Sequence, residues 1–517
     1  FYGVYGLWLT GTEMKSIRPC CSFYHLGRRL SIRVPASMLS TETPTSGATG
    51  SLFQRVRMVQ DPKASISPVL EQWNTKVRPI TRREASKLIH QMKECKRVNH
   101  ALEISQWMDD HLKSSLTQTD IAVRVDLISR VQGRNMAENY FKNAPSNLKG
   151  VNAYGALLSS YVAGKSIDKA EDMMLQMKKL GFAGTAFPYN MMIILYSQTG
   201  DLNKIETIIS EMEKAGIPCD SRTLKDYMSA CVSASNTAGM EKILRLLEAD
   251  PSLATWDIYT LAANGYIKLG SKELGCTMLK EAEGILPDKQ RNIAIGYLIS
   301  LYATAGRGDE VRKIWDRYRA SVKGDTIFAT MISALVTLGD LEGAEEVFWA
   351  WDGRCTTEYD FRVLIPLLTG YCNNGLVDKA ELVLRKVASG GRAPYVSCWK
   401  LLAHGYAGAG EMGKAVKMMK MAMGVGRQGW KPSWGIVRRC LEYLEARGDV
   451  EGVEEFVGLM RKTGPVGRDV CSCVVRSCLA AGRSVDGILE KMERDGFDVE
   501  EARRVVEAAT NSQACAN

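Results

Sequence analysis

Fourteen cysteines and five histidines are the residues of this 517-residue chain best suited to metal or nucleophilic chemistry. Their spacing supports neither. A zinc site draws thiolates or imidazoles in close pairs, with a second pair at a set distance. No C-x-x-C occurs; Cys20-Cys21 and Cys471-Ser472-Cys473 come nearest, and neither has a second half. His25, His90, His100, His111 and His404 form no H-x-E or H-E-x-x-H pair. Cys372, Cys440 and Cys478 fall at helical core positions, where a reduced thiol packs as a small hydrophobe. Glu345-Glu346 and Glu454-Glu455 read as solvated helix faces rather than catalytic dyads. Gly424-Val425-Gly426 reads as a turn, and no phosphate-binding glycine loop follows a strand pattern. These residues predict no enzyme, no metal, no cofactor and no small-molecule substrate.

Charge is the remaining chemistry, and it is local. The formal net charge is +9, with +3 in residues 1–50 and +7 in residues 51–100, so the rest of the chain carries −1. A polyanion partner therefore needs a patch. Residues 396–447 supply one, with nine Lys/Arg against three acids. From Met14, the expected start, to Ser40 there are Lys15, Arg18, Arg28, Arg29 and Arg33 among serines, and no acid. That is the composition of an organellar transit peptide, and Arg28-Arg29-Leu30-Ser31 resembles a mitochondrial matrix cleavage site. Residues 1–50 are expected to be leader and linker, and 51–81 a basic N-terminal segment. Apolar content of 45% and charged content of 24% belong to a folded chain. No apolar run approaches the roughly 18–20 residues that span a bilayer, so membrane insertion is not expected.

The elements that must position these groups repeat. Tyr154, Tyr161 and Gly164, then Asp168-Lys169-Ala170, are echoed about 35 residues on by Tyr189, Tyr196 and Gly200. The frame returns at Tyr259, Tyr266 and Gly270, at Tyr302 and Gly306, at Tyr371 and Gly375, and at Tyr406 and Gly410. Twelve units follow, starting near Arg82, Gln118, Val151, Ala186, Ser221, Trp256, Asn292, Asp325, Phe361, Val396, Trp434 and Arg468. Within each, apolar residues at helical spacing predict two helices. Glycine near the fifteenth position turns the chain, and Asp168 and Asp378 sit in the first turn of the second helix. Alanine at the twentieth position lets the two helices approach. The eleventh-position tyrosines, with Trp256, Trp399 and Trp434, are expected to pack between repeats. One such hairpin cannot bury its own face, so the expectation is an all-α, right-handed solenoid over residues 82–500, with a concave inner surface. A C-terminal helix and tail are expected over 501–517.

The length, the tyrosines at the fourth and eleventh positions and the closing Gly-Ile-x-x-Asp, as in Gly216 to Asp220, resemble pentatricopeptide repeats. The stretch Leu70-Glu71-Gln72-Trp73, continuing with Lys96 to Met108, resembles a plant mitochondrial branch of the family's pure-repeat class. Some relatives carry a zinc deaminase with H-x-E and P-C-x-x-C, and no such motif occurs here. The resemblance implies a mitochondrial matrix protein that contacts single-stranded or ribosomal RNA, with mitoribosomal proteins as further partners. It also implies that the fifth and last residues of each unit face one base. Asn190 with Asp220 is the pair the family associates with uracil. Thr260 places a hydroxyl at a fifth position, while Lys225, Lys400 and Arg438 place cations there. Cations suit phosphate better than base-by-base reading. A protein-binding scaffold is the alternative, to be separated by the charge on the inner face.

Overall fold

A computed structural model describes residues 51–480, apart from 60, 62–63, 322–323, 355–358, 428 and 464–467, with isolated positions from 485 to 493. The leader expected over 1–50 and the helix and tail expected over 501–517 lie outside the described residues. The described chain is helical and without a strand, and no described helix is long and apolar enough to cross a membrane.

The helices come in pairs at the expected period. First helices begin at Arg82, Gln118, Val151, Ala186, Ser221, Trp256, Arg291, Asp325, Ile365, Val396, Trp434 and Arg468. All but one lie within a residue of the expected start. The exception begins at Ile365 instead of Phe361, because Pro366 has no N–H to donate one turn back. Residues Phe361 to Leu364 instead form tight turns: Val363 N donates to Asp360 O at 3.0 Å and Leu364 N to Phe361 O at 3.1 Å.

One device turns the chain inside most hairpins. The fifteenth residue is left-handed: Gly200, Gly270, Gly306, Gly339, Gly375, Gly410 and Gly448 have φ between 64° and 84°. The sixteenth then caps the second helix. Asp201, Asn236, Asp340 and Asp449 each accept the N–H three residues on, at 2.8–3.2 Å. Where glycine is missing the backbone keeps its shape, with φ of 60° at Lys96, 52° at Lys165 and 56° at Ser235. Gly164, expected to make its turn, has φ −89°, and Lys165 makes it instead. A side chain in that region costs about 1–2 kcal/mol. Ser235→Gly and Lys165→Gly are each expected to stabilise their hairpin by about 1 kcal/mol after the added freedom of the unfolded chain is offset. Slower amide exchange in the flanking helices is the measurement, and unchanged exchange would show the strain to be absent.

The packing follows the repeat. Ala170, Ala344, Ala380 and Ala415 are fully buried between paired helices, and the tyrosines at 161, 196, 266, 302, 371 and 406 are buried between repeats. Trp399 is buried, but Trp434 is 44% exposed. The expectation that Trp434 packs between repeats is therefore corrected: its unit begins 38 residues after the last, not 35, and the indole is left at the surface.

The chain divides after Gly270 into two compact bodies. In the first, each first helix from Gln118–Val131 to Trp256–Lys268 lies along the next; in the second, the same holds from Arg291–Ala305 to Arg468–Ala480. Successive second helices stand farther apart, except Met412–Val425 and Val450–Thr463. Each body thus has a layer of first helices. In the first body, residues 51–81 add two short helices, Leu52–Met58 and Ser67–Lys76, held by the Val98–His111 helix. Arg97 donates to Val59 O at 2.7 Å, His100 meets Ala64 O at 3.1 Å, and Trp107 donates to Glu71 at 2.8 Å.

Candidate nucleic-acid interface

A register rule organises the first-helix layers. The fifth residue of one unit lies against the second or third residue of the next. Ser86 donates to Asp120 at 3.3 Å. A Cβ on Gly155 would come within 2.9 Å of the Phe187 ring, and one on Gly296 within 3.6 Å of Ile327. The fifth positions therefore form a row in each body, and all six expected RNA contacts can be placed relative to it.

In the first body the row is largely satisfied from within. Asn190 is buried; its amide nitrogen donates to Asp220 at 3.3 Å and its oxygen accepts the Thr223 hydroxyl at 2.7 Å. Asp220 caps the Ser221–Ser233 helix by accepting the Thr223 amide at 2.7 Å. Burial works against the Asp220 carboxylate, but the Thr223 amide and hydroxyl and the Asn190 amide outweigh it and hold its pKa below the ordinary range. The expected pair is thus joined directly. Lys225 forms an ion pair with Asp257, the second residue of the next unit. Thr260 is buried and its hydroxyl donates to Asp257 O at 3.1 Å.

In the second body the row starts with Gly296, Ala329 and Ile365, which carry no polar side chain, and becomes cationic at Lys400 and Arg438. Lys400 is exposed, with no carboxylate partner among the described residues. Arg438, 66% exposed, pairs with Glu442 one turn on at 2.7 Å. Two groups that sequence reasoning missed lie alongside: His404, one turn beyond Lys400, and Arg439, which donates to Ala407 O at 2.5 Å. Burial first, and then the charges of Lys400 and Arg439, hold the His404 imidazole below its ordinary pKa. The charge counted over 396–447 is partly spent elsewhere. Lys414 meets Asp378 at 2.7 Å and Lys420 meets Glu455 at 2.5 Å, acids outside that window.

No cluster of metal-ligating side chains occurs among the described residues. Burial pushes the thiols of Cys231, Cys398, Cys440 and Cys473 up to about 12 and that of Cys372 up to about 11. Thiols so hard to ionise are poor nucleophiles and ligands.

The PPR repeat profile matches residues 153–182, 187–217, 326–350 and 367–391. A mitochondrial pentatricopeptide repeat-containing protein of Arabidopsis thaliana is 35% identical over 422 residues, covering 81% of this chain and 86% of the relative. The chain belongs to the pentatricopeptide repeat family. A second Arabidopsis thaliana member, also named as mitochondrial, is 30% identical over 484 residues, 92% of this chain and 98% of the relative. The crystal structure of maize pentatricopeptide repeat protein PPR10 aligns over 86% of this chain and 68% of its own, with 16% identity and a TM-score of 0.45. Within this pentatricopeptide repeat protein two matched segments fall in each body, and each begins at or near a first helix.

Proposed function

We propose that this pentatricopeptide repeat protein binds RNA in the mitochondrion without catalysing a reaction, acting in organellar RNA metabolism or translation. The observation that carries the reading is the row of fifth positions ending in exposed Lys400 and Arg438, with His404 and Arg439 beside them. Cations in register along a helix layer suit a strand's phosphates. The mitochondrial names of the two Arabidopsis relatives support the location, and the acid-free leader supports the matrix. Asn190, Asp220 and Thr260 are bonded within the first body and leave little for base edges, and Lys225 is partly withdrawn by Asp257.

The test is a salt titration of RNA binding by the full chain. Lys400→Glu with Arg438→Glu is expected to weaken all single-stranded RNAs alike and to shallow the log–log salt slope by about one to two units, at about 0.7 per phosphate contact. Asn190→Ala is expected to cost little, and only against uracil. Normal affinity and slope in the double variant would defeat the reading. A second reading, a scaffold for mitoribosomal proteins, draws on the self-satisfied row of the first body, where Lys225 and Asn190 already have partners. Co-sedimentation with mitoribosomal subunits that survives RNase would favour it.

A further inference from the structure

We propose that Cys276 is an oxidation site: hydrogen peroxide converts its thiol to a sulfenic acid, whose oxygen accepts from Tyr302 and Arg307 and fastens the Lys272–Gly284 helix to Arg291–Ala305. The site lies wholly in the second body, and the inference does not depend on RNA binding.

The site is a contact between repeats in which one residue has been exchanged. In three units the twenty-first residue is a glutamate that accepts the hydroxyl of the next unit's eleventh-position tyrosine: Glu171 from Tyr196, Glu345 from Tyr371 and Glu381 from Tyr406. In the unit that starts at Trp256 the twenty-first residue is Cys276, and the tyrosine that follows is Tyr302. Tyr302 is fully buried, and its hydroxyl has no hydrogen-bond partner among the described residues, the thiol included. A buried hydroxyl without an acceptor bears the whole cost of leaving water. Burial first, and then Glu283, Glu310 and the Cys276 thiol, push that hydroxyl above its ordinary pKa, so the thiol lies within its electrostatic reach. The cation differs as well. Lys204 and Lys379, each eight residues after its tyrosine, pair with Glu171 and Glu345 at 2.8 Å. Here that place is held by Glu310, and Arg307 comes to the thiol instead.

The surroundings suit a peroxide reaction. Glu273 first, and then a hydrogen bond to the Cys276 thiol, raise the Arg307 guanidinium above its ordinary pKa. A guanidinium beside a thiol favours the thiolate, which is the reactive form. Arg307 stands at the surface in an ion pair with Glu273. Cys276 is 8% exposed beside it, whereas Cys231, Cys398 and Cys440 are fully buried. The other nearby acids are engaged, Glu283 by Arg317 and Glu310 by Lys313 at 3.0 Å. In the reaction the sulfur attacks one peroxide oxygen, so that an S–O bond forms and the O–O bond breaks. The departing hydroxide takes up the thiol proton and leaves as water. Sulfur is oxidised by two electrons and the peroxide is reduced. The added oxygen brings an acceptor one bond nearer to Tyr302, in the role that Glu171, Glu345 and Glu381 fill elsewhere.

Hydrogen peroxide applied to the folded full chain with dimedone, which traps sulfenic acids, tests the oxidation by peptide mass mapping. Cys276 is expected to label about tenfold faster than Cys231, Cys398 and Cys440, and Arg307→Gln to slow it about threefold. Equal rates at the four thiols would overturn the assignment. Amide exchange after peroxide without dimedone tests the fastening. Lys272–Gly284 and Arg291–Ala305 should exchange about fivefold more slowly, the effect of one hydrogen bond gained. Tyr302→Phe and Cys276→Ser should each lose that change. Cys276→Glu, which gives this unit the acid of the others, should protect the same helices without peroxide, and only while Tyr302 is present. Exchange that is unchanged or faster in the oxidised protein would show that the added oxygen finds no donor in this contact, and the inference would fall.

Discussion

Replacing Glu103 with alanine is expected to release the two N-terminal helices from the first body at a cost of about 2–4 kcal/mol, the sum of charge-assisted bonds lost and amides left bare. The carboxylate accepts the Ile66 and Ser67 amides at 3.0 Å and the Ser67 hydroxyl at 2.8 Å. It therefore supplies the start of the Ser67–Lys76 helix with the acceptor that its own N-cap residue, Ile66, lacks. Burial raises the Glu103 pKa, but the Ile66 amide and the hydroxyls of Ser65 and Ser67 outweigh it, leaving the group below its ordinary range. A depressed carboxyl contributes stability above its unfolded value, about 4.3, and loses it as pH falls through the folded value. Acidification should thus free residues 52–76 before the repeats open, and Glu103→Ala should abolish that early step. Amide exchange of residues 52–76 is the measurement. Protection unchanged in Glu103→Ala would mean that buried Leu70 and Trp73 hold the segment alone.

The same helix shows what sequence could and could not reveal. Period, helix starts and the buried alanines are legible because each is a property of one unit repeated. Arg97, His100 and Glu103 are visible as a motif, but their partners lie 36 to 41 residues earlier, so only folding assigns them a task. The basic window at 396–447 misleads for a related reason. Its neutralising acids, Asp378 and Glu455, sit one repeat away on adjacent helices, and a count over contiguous residues cannot see across a stack. Lys225 reads as open in the sequence, yet Asp257, 32 residues on, holds it. A search at intervals of 30 to 36 residues would have found most of these pairs. The exposure of Trp434 needs more, since it depends on where a unit of 38 residues, three beyond the period, places the start of the next first helix.

Tyr406→Ala is expected to be the most damaging single change in the second body, at about 3–5 kcal/mol for an emptied aromatic site. The ring is fully buried, and its hydroxyl donates to Glu381 at 2.6 Å and to Asp378 at 2.9 Å. Lys414 stands 5.0 Å from the ring centre and 2.7 Å from Asp378. The arrangement recurs. Tyr196 donates to Glu171 at 2.8 Å under Lys204, and Tyr371 donates to Glu345 at 2.6 Å under Lys379. In each case an acid of the preceding second helix, a tyrosine of the first helix and a lysine eight residues later join three consecutive helices. The eleventh-position tyrosine is therefore a bolt between repeats as well as a filler. Tyr406→Phe keeps the filler and removes the bolt, at about 1–2 kcal/mol. Burial and then the two carboxylates push the Tyr406 hydroxyl well above its ordinary range. A raised pKa contributes stability below the unfolded value, about 10, and loses it as pH rises through the folded value. The parent should thus lose stability in alkali more steeply than Tyr406→Phe, by urea melts followed through amide exchange in Val377–Ala388 and Val396–Gly408. Equal alkaline slopes would show that the hydroxyl carries no coupling between repeats, and that the position is held by ring packing alone.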